Sequence, residues 1–240
     1  QTADSFQKTV DKVLEVRPNR LSVFNYAHLP TLFKPQRRID ESHLPTPDQK
    51  LEILQRTNQQ LSEAGYLYIG MDHFALPDDE LAVAQREGTL YRNFQGYSTH
   101  RDCDLIGIGV TSIGVVGNTY SQNLKTTEEY YASIDGGDLS VFRGVELDAD
   151  DILRRDVITE LICNFRLKFS DIEQRNDIVF SDYFATELEE LKVMVEDGLV
   201  TMDEESVTVA TAGRLLIRNV CMVFDRYLRE KSEQRFSKVI

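Results

Sequence analysis

No apolar run in the 240-residue sequence approaches the ~20 residues of a membrane-crossing helix. No basic, apolar leader opens the chain either: the first residues, QTADSFQKTVDKVLEV, are polar and helix-like. Cysteine is scarce. Cys103, Cys163 and Cys221 are too widely spaced for a local metal knuckle and are expected to be reduced thiols of a cytoplasmic protein. Positive charge is short: the formal net charge of -13 opposes non-specific binding to nucleic acid and to anionic membranes. His28, His43, His73 and His100 form no metal-ligating pair at i, i+3 or i+4, so each reads as a surface or satisfied histidine. No metal site is therefore expected. A nucleophile elbow and a phosphate loop are also missing. The chain opens at Gln1 without a methionine. It opens inside a helical pattern, with Phe6, Val10, Val13 and Leu14 on one face, and a fragment boundary is expected there.

What is present suits a soluble globular protein of one large domain or two modest ones, with 41% hydrophobic and 28% charged residues. Leu21–Tyr26 reads as a short buried strand. Thr46-Pro47-Asp48-Gln49 then starts a helix: Thr46 can cap it, Pro47 suits its first position and Gln49 completes a capping box. Tyr66–Met71 is the next strand, which makes a βαβ unit with parallel pairing. That topology puts Ala27-His28 and Asp72-His73-Phe74 at one rim of the sheet. Asp104–Val110 is expected as a further buried strand.

From about Thr126 the pattern changes. Helices are expected over Thr127–Ile134, Asp148–Phe165 and Ser181–Asp197, then a two-stranded ribbon over Leu199–Ala210 and a last helix from Thr211. The outline is that of a winged helix. Asp182–Asp197 holds six acids against one base, the wrong sign for a helix facing phosphates. The last helix is more basic, with Arg214, Arg218, Arg226, Arg229 and Lys231, which suits a solvated face or one paired with the acidic neighbour.

The segment Tyr91–Asn123 carries the most information. An aromatic-amide-glycine turn, Phe94-Gln95-Gly96-Tyr97, leads into DLIGIGVTSIG at Asp104–Gly114. Gly107, Gly109 and Gly114 are spaced G-x-G-x4-G, which is not the dinucleotide fingerprint. Glycines within a strand leave two readings open: close packing of chain on chain, or a ligand against the backbone.

Several long strings make the chain resemble the oxygen-independent coproporphyrinogen III oxidases, a radical S-adenosylmethionine (SAM) family. They are FNYAHLP at Phe24–Pro30, YIGMDHFALPDDELA at Tyr68–Ala82, RNFQGYST at Arg92–Thr99 and LIGIGVTSIG. RRDVITELICNFRL at Arg154–Leu167, GRLLIRNVCMVFDRYL at Gly213–Leu228 and the terminal RFSKVI extend the likeness to the chain's end. The resemblance implies an α/β fold: the terminal part of a radical-SAM partial (β/α) barrel over residues 1–123, then a mostly helical, winged-helix-like domain over 124–240. It implies oxidative decarboxylation of two propionates of coproporphyrinogen III to vinyl groups, giving protoporphyrinogen IX. The cofactors implied are SAM and a [4Fe–4S] cluster fed by a reductant. The family's C-x3-C-x2-C cluster motif does not occur in this sequence, so this half alone is expected to be inactive.

By the same resemblance Ala27 and Ile113 match SAM-contacting positions, and Phe94 and Gln95 match a pair lining a second SAM site. Gly107 and Gly109 join them as cofactor-binding candidates. Thr111 and Ser112 stand where serine and alanine are expected. Four propionates on the substrate call for a basic rim. Arg37 and Arg38 are the substrate-binding candidates, with Lys34, His100 and Arg101 in loops nearby. A haem-binding or haem-delivery relative without oxidase activity is the alternative, and a winged-helix module for a protein partner is a third reading.

Overall fold

The computed structural model describes residues 1–230; RFSKVI and Lys231 lie outside them. The first half runs α1 Ala3–Val16, β1 Arg20–Ser22, α2 Pro47–Glu63, β2 Leu67–Gly70, β3 His73–Ala75, α3 Glu80–Glu87, β4 Tyr91–Asn93, β5 Gly96–Ser98, β6 Ile113–Val116, β7 Thr119–Asn123, α4 Thr127–Asp135 and β8 Val141–Glu146. The second runs α5 Ala149–Asn164, β9 Arg166–Lys168, α6 Phe169–Glu173, α7 Phe180–Tyr183, α8 Ala185–Glu196, β10 Val200–Met202, β11 Ser206–Val209, α9 Thr211–Arg214, α10 Ile217–Met222 and α11 Arg226–Glu230.

Local signals set the starts of α1 to α5, each with a side-chain cap. Thr46 and Gln49 exchange the two bonds of a capping box ahead of α2, with Pro47 in the first turn. Asp148 and Asp151 do the same for α5. The first sheet departs from the βαβ expectation. β1 and β2 are both antiparallel to β3, which lies between them. β1 and β2 therefore run the same way but do not pair. A tight reversal at Gly70 (φ 148°) and Met71 (φ 55°) sends the chain straight back, and a hairpin fills the gap that a helical crossover leaves.

The first strand is also shorter than expected. The Val23 amide donates to the Asp72 carbonyl at 2.7 Å, after which the chain leaves the sheet with Phe24 and Tyr26 exposed. Asp104–Val110 is not a buried strand. It holds one bridge, Leu105 to Val115, and Ile106 and Ile108 are exposed. A turn at Thr111 (φ 60°) folds it back on β6, and the Asn123 side chain takes the Gly107 and Gly109 carbonyls that a neighbouring strand would bond. The strand β8 has no counterpart in the sequence reading. It pairs with β7 to give the order β6-β7-β8, so pairing continues past residue 123, where a division was expected.

In the second half the ribbon β10–β11 gains β9 as a third antiparallel strand. The helix expected over Ser181–Asp197 is two, because Phe184 breaks it (φ -103°, ψ 25°) and buries its ring between Phe180 and Phe224. The last helix is three short ones, α9, α10 and α11. One core joins both halves: Ile69, Leu90 and Tyr97 pack in the same cluster as Val157, Leu161 and Phe224. Gln85 ties them by donating its side-chain amide to the carbonyls of Ile69 (2.7 Å) and Cys163 (2.8 Å). The acidic and basic helices do pair. Buried Glu187 accepts from Arg154 at 2.8 Å and lies 3.2 Å from Arg229, which also reaches Glu190.

Candidate functional site

The β4–β5 hairpin presents its turn, Phe94-Gln95, outward. Asn93 pairs with Gly96 behind it, and the Asn93 side chain accepts from the Gln95 amide at 2.9 Å. Phe94 is 61% exposed, and its ring meets Tyr120 edge-on at 5.5 Å. Tyr120 pairs with Val115, and Gln122, two residues on, pairs with Ile113. Cross-strand partners share a face, as do alternate residues of one strand. Phe94 therefore packs on the sheet face that carries Ile113. Arg143 extends this face from β8 and donates to Gln122 at 2.9 Å.

Tyr97 fixes the hairpin. Its buried hydroxyl donates to the Ile162 carbonyl of α5 at 2.9 Å, passing Gly70 so closely that a Cβ there would lie 2.2 Å from the hydroxyl. Burial raises the Tyr97 phenol well above its ordinary value, so it stays a donor. His73 meets the Tyr97 ring edge-on at 5.2 Å, and the Arg92 guanidinium lies 5.7 Å from its centroid. The His73 Nδ1 is 3.1 Å from the Asp72 carboxylate. Burial opposes ionisation of Asp72, but the bond to His73 and its charge outweigh burial and hold the carboxyl below its usual value. A Cβ on Gly96 (φ 134°) would come within 3.2 Å of His73 Nε2, so the glycine lets turn and imidazole touch.

Ala27 lies in a separate exposed loop braced by one side chain. The Gln36 amide donates to the Ala27 carbonyl at 3.1 Å and accepts from the Leu29 amide. The loop's root reaches Asp72 through Val23, so the Ala27 loop and the Phe94-Gln95 turn share the Asp72-His73 anchor. Gly107 spends its bare Cα on its own chain: a Cβ would meet the Ile113 backbone at 2.9 Å. The Gly109 amide donates to the Tyr130 hydroxyl at 3.1 Å. Close packing of chain on chain thus accounts for Gly107, whereas Gly109 has room for a Cβ and is suited instead by its left-handed backbone (φ 100°). Arg37 donates to the Pro30 carbonyl at 2.9 Å, whereas Arg38 is exposed on the same short turn of 3-10 helix. Arg101 turns away, pairing with Glu160 at 3.2 Å and lining a polar cleft of about 380 Å³ with Arg155 and Arg175. The sequence reading missed Asp72 and His73 as site residues. Their place directly after a strand, at the rim expected to hold Ala27, was the available signal.

The donor set does not fit an iron–sulfur cluster. Among the described residues no group of three or more His, Cys, Asp or Glu side chains could hold a metal ion. Burial pushes the Cys163 thiol up to about 12 and the Cys221 thiol higher, so neither offers a thiolate. SAM is a better fit. An exposed aromatic ring beside an amide with no partner among the described residues suits a nucleobase.

The family model described as the HemN C-terminal domain matches residues 147–216. Oxygen-independent coproporphyrinogen III oxidases from Pseudomonas aeruginosa and Escherichia coli are each 55% identical to this sequence over its whole length. The chain spans about half the length of these relatives, 52% and 53% respectively. The oxidase of Thermostichus vulcanus is 46% identical, and the chain covers 74% of it. A solved structure, described as the coproporphyrinogen III oxidase (HemN) from Escherichia coli, a radical SAM enzyme, superposes with a TM-score of 0.92. It is 56% identical, and the match covers 95% of this chain and 52% of that one. The fold is that of a portion of a radical SAM protein, mixed α/β with several small sheets. The chain belongs to the oxygen-independent coproporphyrinogen III oxidase family.

Proposed function

We propose that the whole protein carries out oxygen-independent oxidative decarboxylation of coproporphyrinogen III to protoporphyrinogen IX, and that this chain supplies part of its SAM and substrate cleft. The observation that carries this reading is 55% identity to named oxidases along all 240 residues. SAM, when bound, supplies the adenosyl group whose radical form takes hydrogen from a propionate. The residues here bind and orient. Phe94 stacks, Gln95 reads polar edges through its amide, and Ile113 forms the apolar wall beside them. Ala27, on its braced loop, offers backbone and a small side chain. Arg38 and Arg37 are proposed to meet propionates. Gly107 and Gly109 act by letting the wall fold back on itself. The [4Fe–4S] cluster and its reductant belong to the whole enzyme, and no step is derived through them. We place the division between the halves after Glu146, at the end of β8, and propose a cytoplasmic location, which the free thiols of Cys103, Cys163 and Cys221 suit.

The test is an anaerobic assay of the whole natural protein with SAM, a reductant and coproporphyrinogen III. Accumulation of protoporphyrinogen IX supports the proposal. Haem binding without turnover would favour a haem-carrying relative instead.

A further inference from the structure

We propose that the groove between α8 and the β10–β11 turn docks a basic amphipathic helix of a partner protein. The groove lies in the second half of the chain, apart from the Phe94-Gln95 turn, and the proposal goes beyond the functional reading above without resting on it.

The sequence of α8 gives that helix two faces. Leu191 is fully buried, and Glu187, four residues earlier, is buried against Arg154 and Arg229. Ala185, Leu188, Glu189 and Lys192 recur at i, i+3, i+4 and i+7, so they form a second stripe. This stripe is one wall of a groove of about 570 Å³. Met202, Asp203 and Glu204 form the facing wall, and buried Phe169 is the floor. Floor and walls are already fixed. Phe169 stacks on Phe180 at 4.3 Å, and its amide donates to the Glu205 carbonyl at 2.9 Å. The Asp203 carboxylate accepts from the amides of Glu205 (2.9 Å) and Ser206 (2.7 Å). A groove built in this way loses little freedom when it is filled. Its α8 wall is about 10 Å long, two helical turns, which suits a short helix laid along it.

Charge selects the occupant. Among the described residues lining the groove Lys192 is the one cation, and it pairs with Glu189. Asp203 and Glu204 are left over. The hydrogen bonds from Glu205 and Ser206 hold the Asp203 carboxyl below its ordinary value, so it is charged at neutral pH. The cations of the neighbouring strand do not offset them. Arg166 and Lys168 on β9 alternate with buried Leu167, and Leu167 is aligned through Val207 with Met202. Met202 and Leu167 therefore share the inner face of this sheet, and Arg166 and Lys168 stand on the outer one. An apolar floor with excess acid matches an apolar stripe flanked by lysine or arginine, and it repels a polyanion. The net charge of -13 steers partners of the same sign towards it.

The probe is a fluorescein-labelled synthetic peptide of about 14 residues, leucine at i, i+3, i+4 and i+7 spacing and lysine elsewhere, read by anisotropy on the whole natural protein. Ala185→Arg obstructs the groove and Glu204→Lys reverses its charge; both positions are exposed, and an unchanged urea midpoint certifies each fold. Each should weaken binding about tenfold. Thr201→Lys adds a like charge on the outer face of the same sheet and should bind as the wild type does. The same peptide with glutamate for lysine should not bind. A wild type that ignores the lysine peptide would overturn the proposal. So would an equal loss in Thr201→Lys, which would reduce the binding to general attraction by an acidic protein. Two further results would give the groove to another occupant and overturn the proposal as well. One is a smaller particle by light scattering in Ala185→Arg, which would name a second copy. The other is tighter binding of a peptide of residues 231–240, which would name the chain itself.

Discussion

At the residue scale, the site depends on close approaches more than on charge. Gly70→Ala would drive a methyl group into the Tyr97 hydroxyl and should cost about 2 kcal/mol, read as a lower urea midpoint. Phe94→Ala and Gln95→Ala should leave that midpoint unchanged, since both side chains are exposed, while lowering SAM affinity about tenfold. Unchanged SAM titrations would remove the turn from the site. The strings that mark the turn were legible in the sequence because aromatic, amide and glycine are adjacent there. The role of Gly107 was not, since a bare Cα facing a ligand and one facing Ile113 leave the same letters. His73 was passed over because its partners, Gly96 and Tyr97, arrive from another hairpin.

At the scale of elements, helix starts were readable and strand partners were not. Thr46-Pro47-Asp48-Gln49 states its capping box locally. No local pattern says that β3 will insert between β1 and β2, because pairing is decided by a reversal and a distant strand together. The break at Phe184 follows from a ring stack assembled across 44 residues of sequence, from Phe180 to Phe224. The same region yields a pH prediction. Asp150 is subject to a burial penalty that hydrogen bonds from Tyr183, Arg226 and Arg154 outweigh, so its carboxyl sits below the ordinary value. A lowered carboxylate contributes stability that is present above its unfolded pKa, near ~4, and is lost as pH falls through the folded value. The wild type should therefore lose stability below about pH 4. Asp150→Asn should flatten that slope in chemical denaturation across pH; an unaltered slope would dismiss the network as its source.

For the whole molecule, the exposed apolar surface is the dominant fact. Phe24, Leu32, Ile106, Ile108, Leu139 and Phe142 all face solvent, and every residue of the edge strand β8 is exposed. Such surface and an uncovered sheet edge favour association. The 240-residue chain alone should run larger than 27.5 kDa by light scattering, and Ile106→Lys with Ile108→Lys should shift it towards monomer. A monodisperse monomer in the wild type would count against this. The same chain, reconstituted anaerobically with iron and sulfide, should gain no visible iron–sulfur absorbance. Periodicity marks a face as apolar; it does not say what lies against it, so the exposure of Ile106 and Ile108 was hidden behind the reading of a buried strand.

The hydrogen bond from Tyr97 to Ile162 gives the second half a mechanical meaning. The turn proposed to hold the ligand and the long helix α5 are two ends of one strut, with the phenol as its pin. Force applied at either end is felt at the other. A ligand bound at the turn should therefore slow amide exchange along Val157–Cys163 of α5, and Tyr97→Phe should disconnect the two.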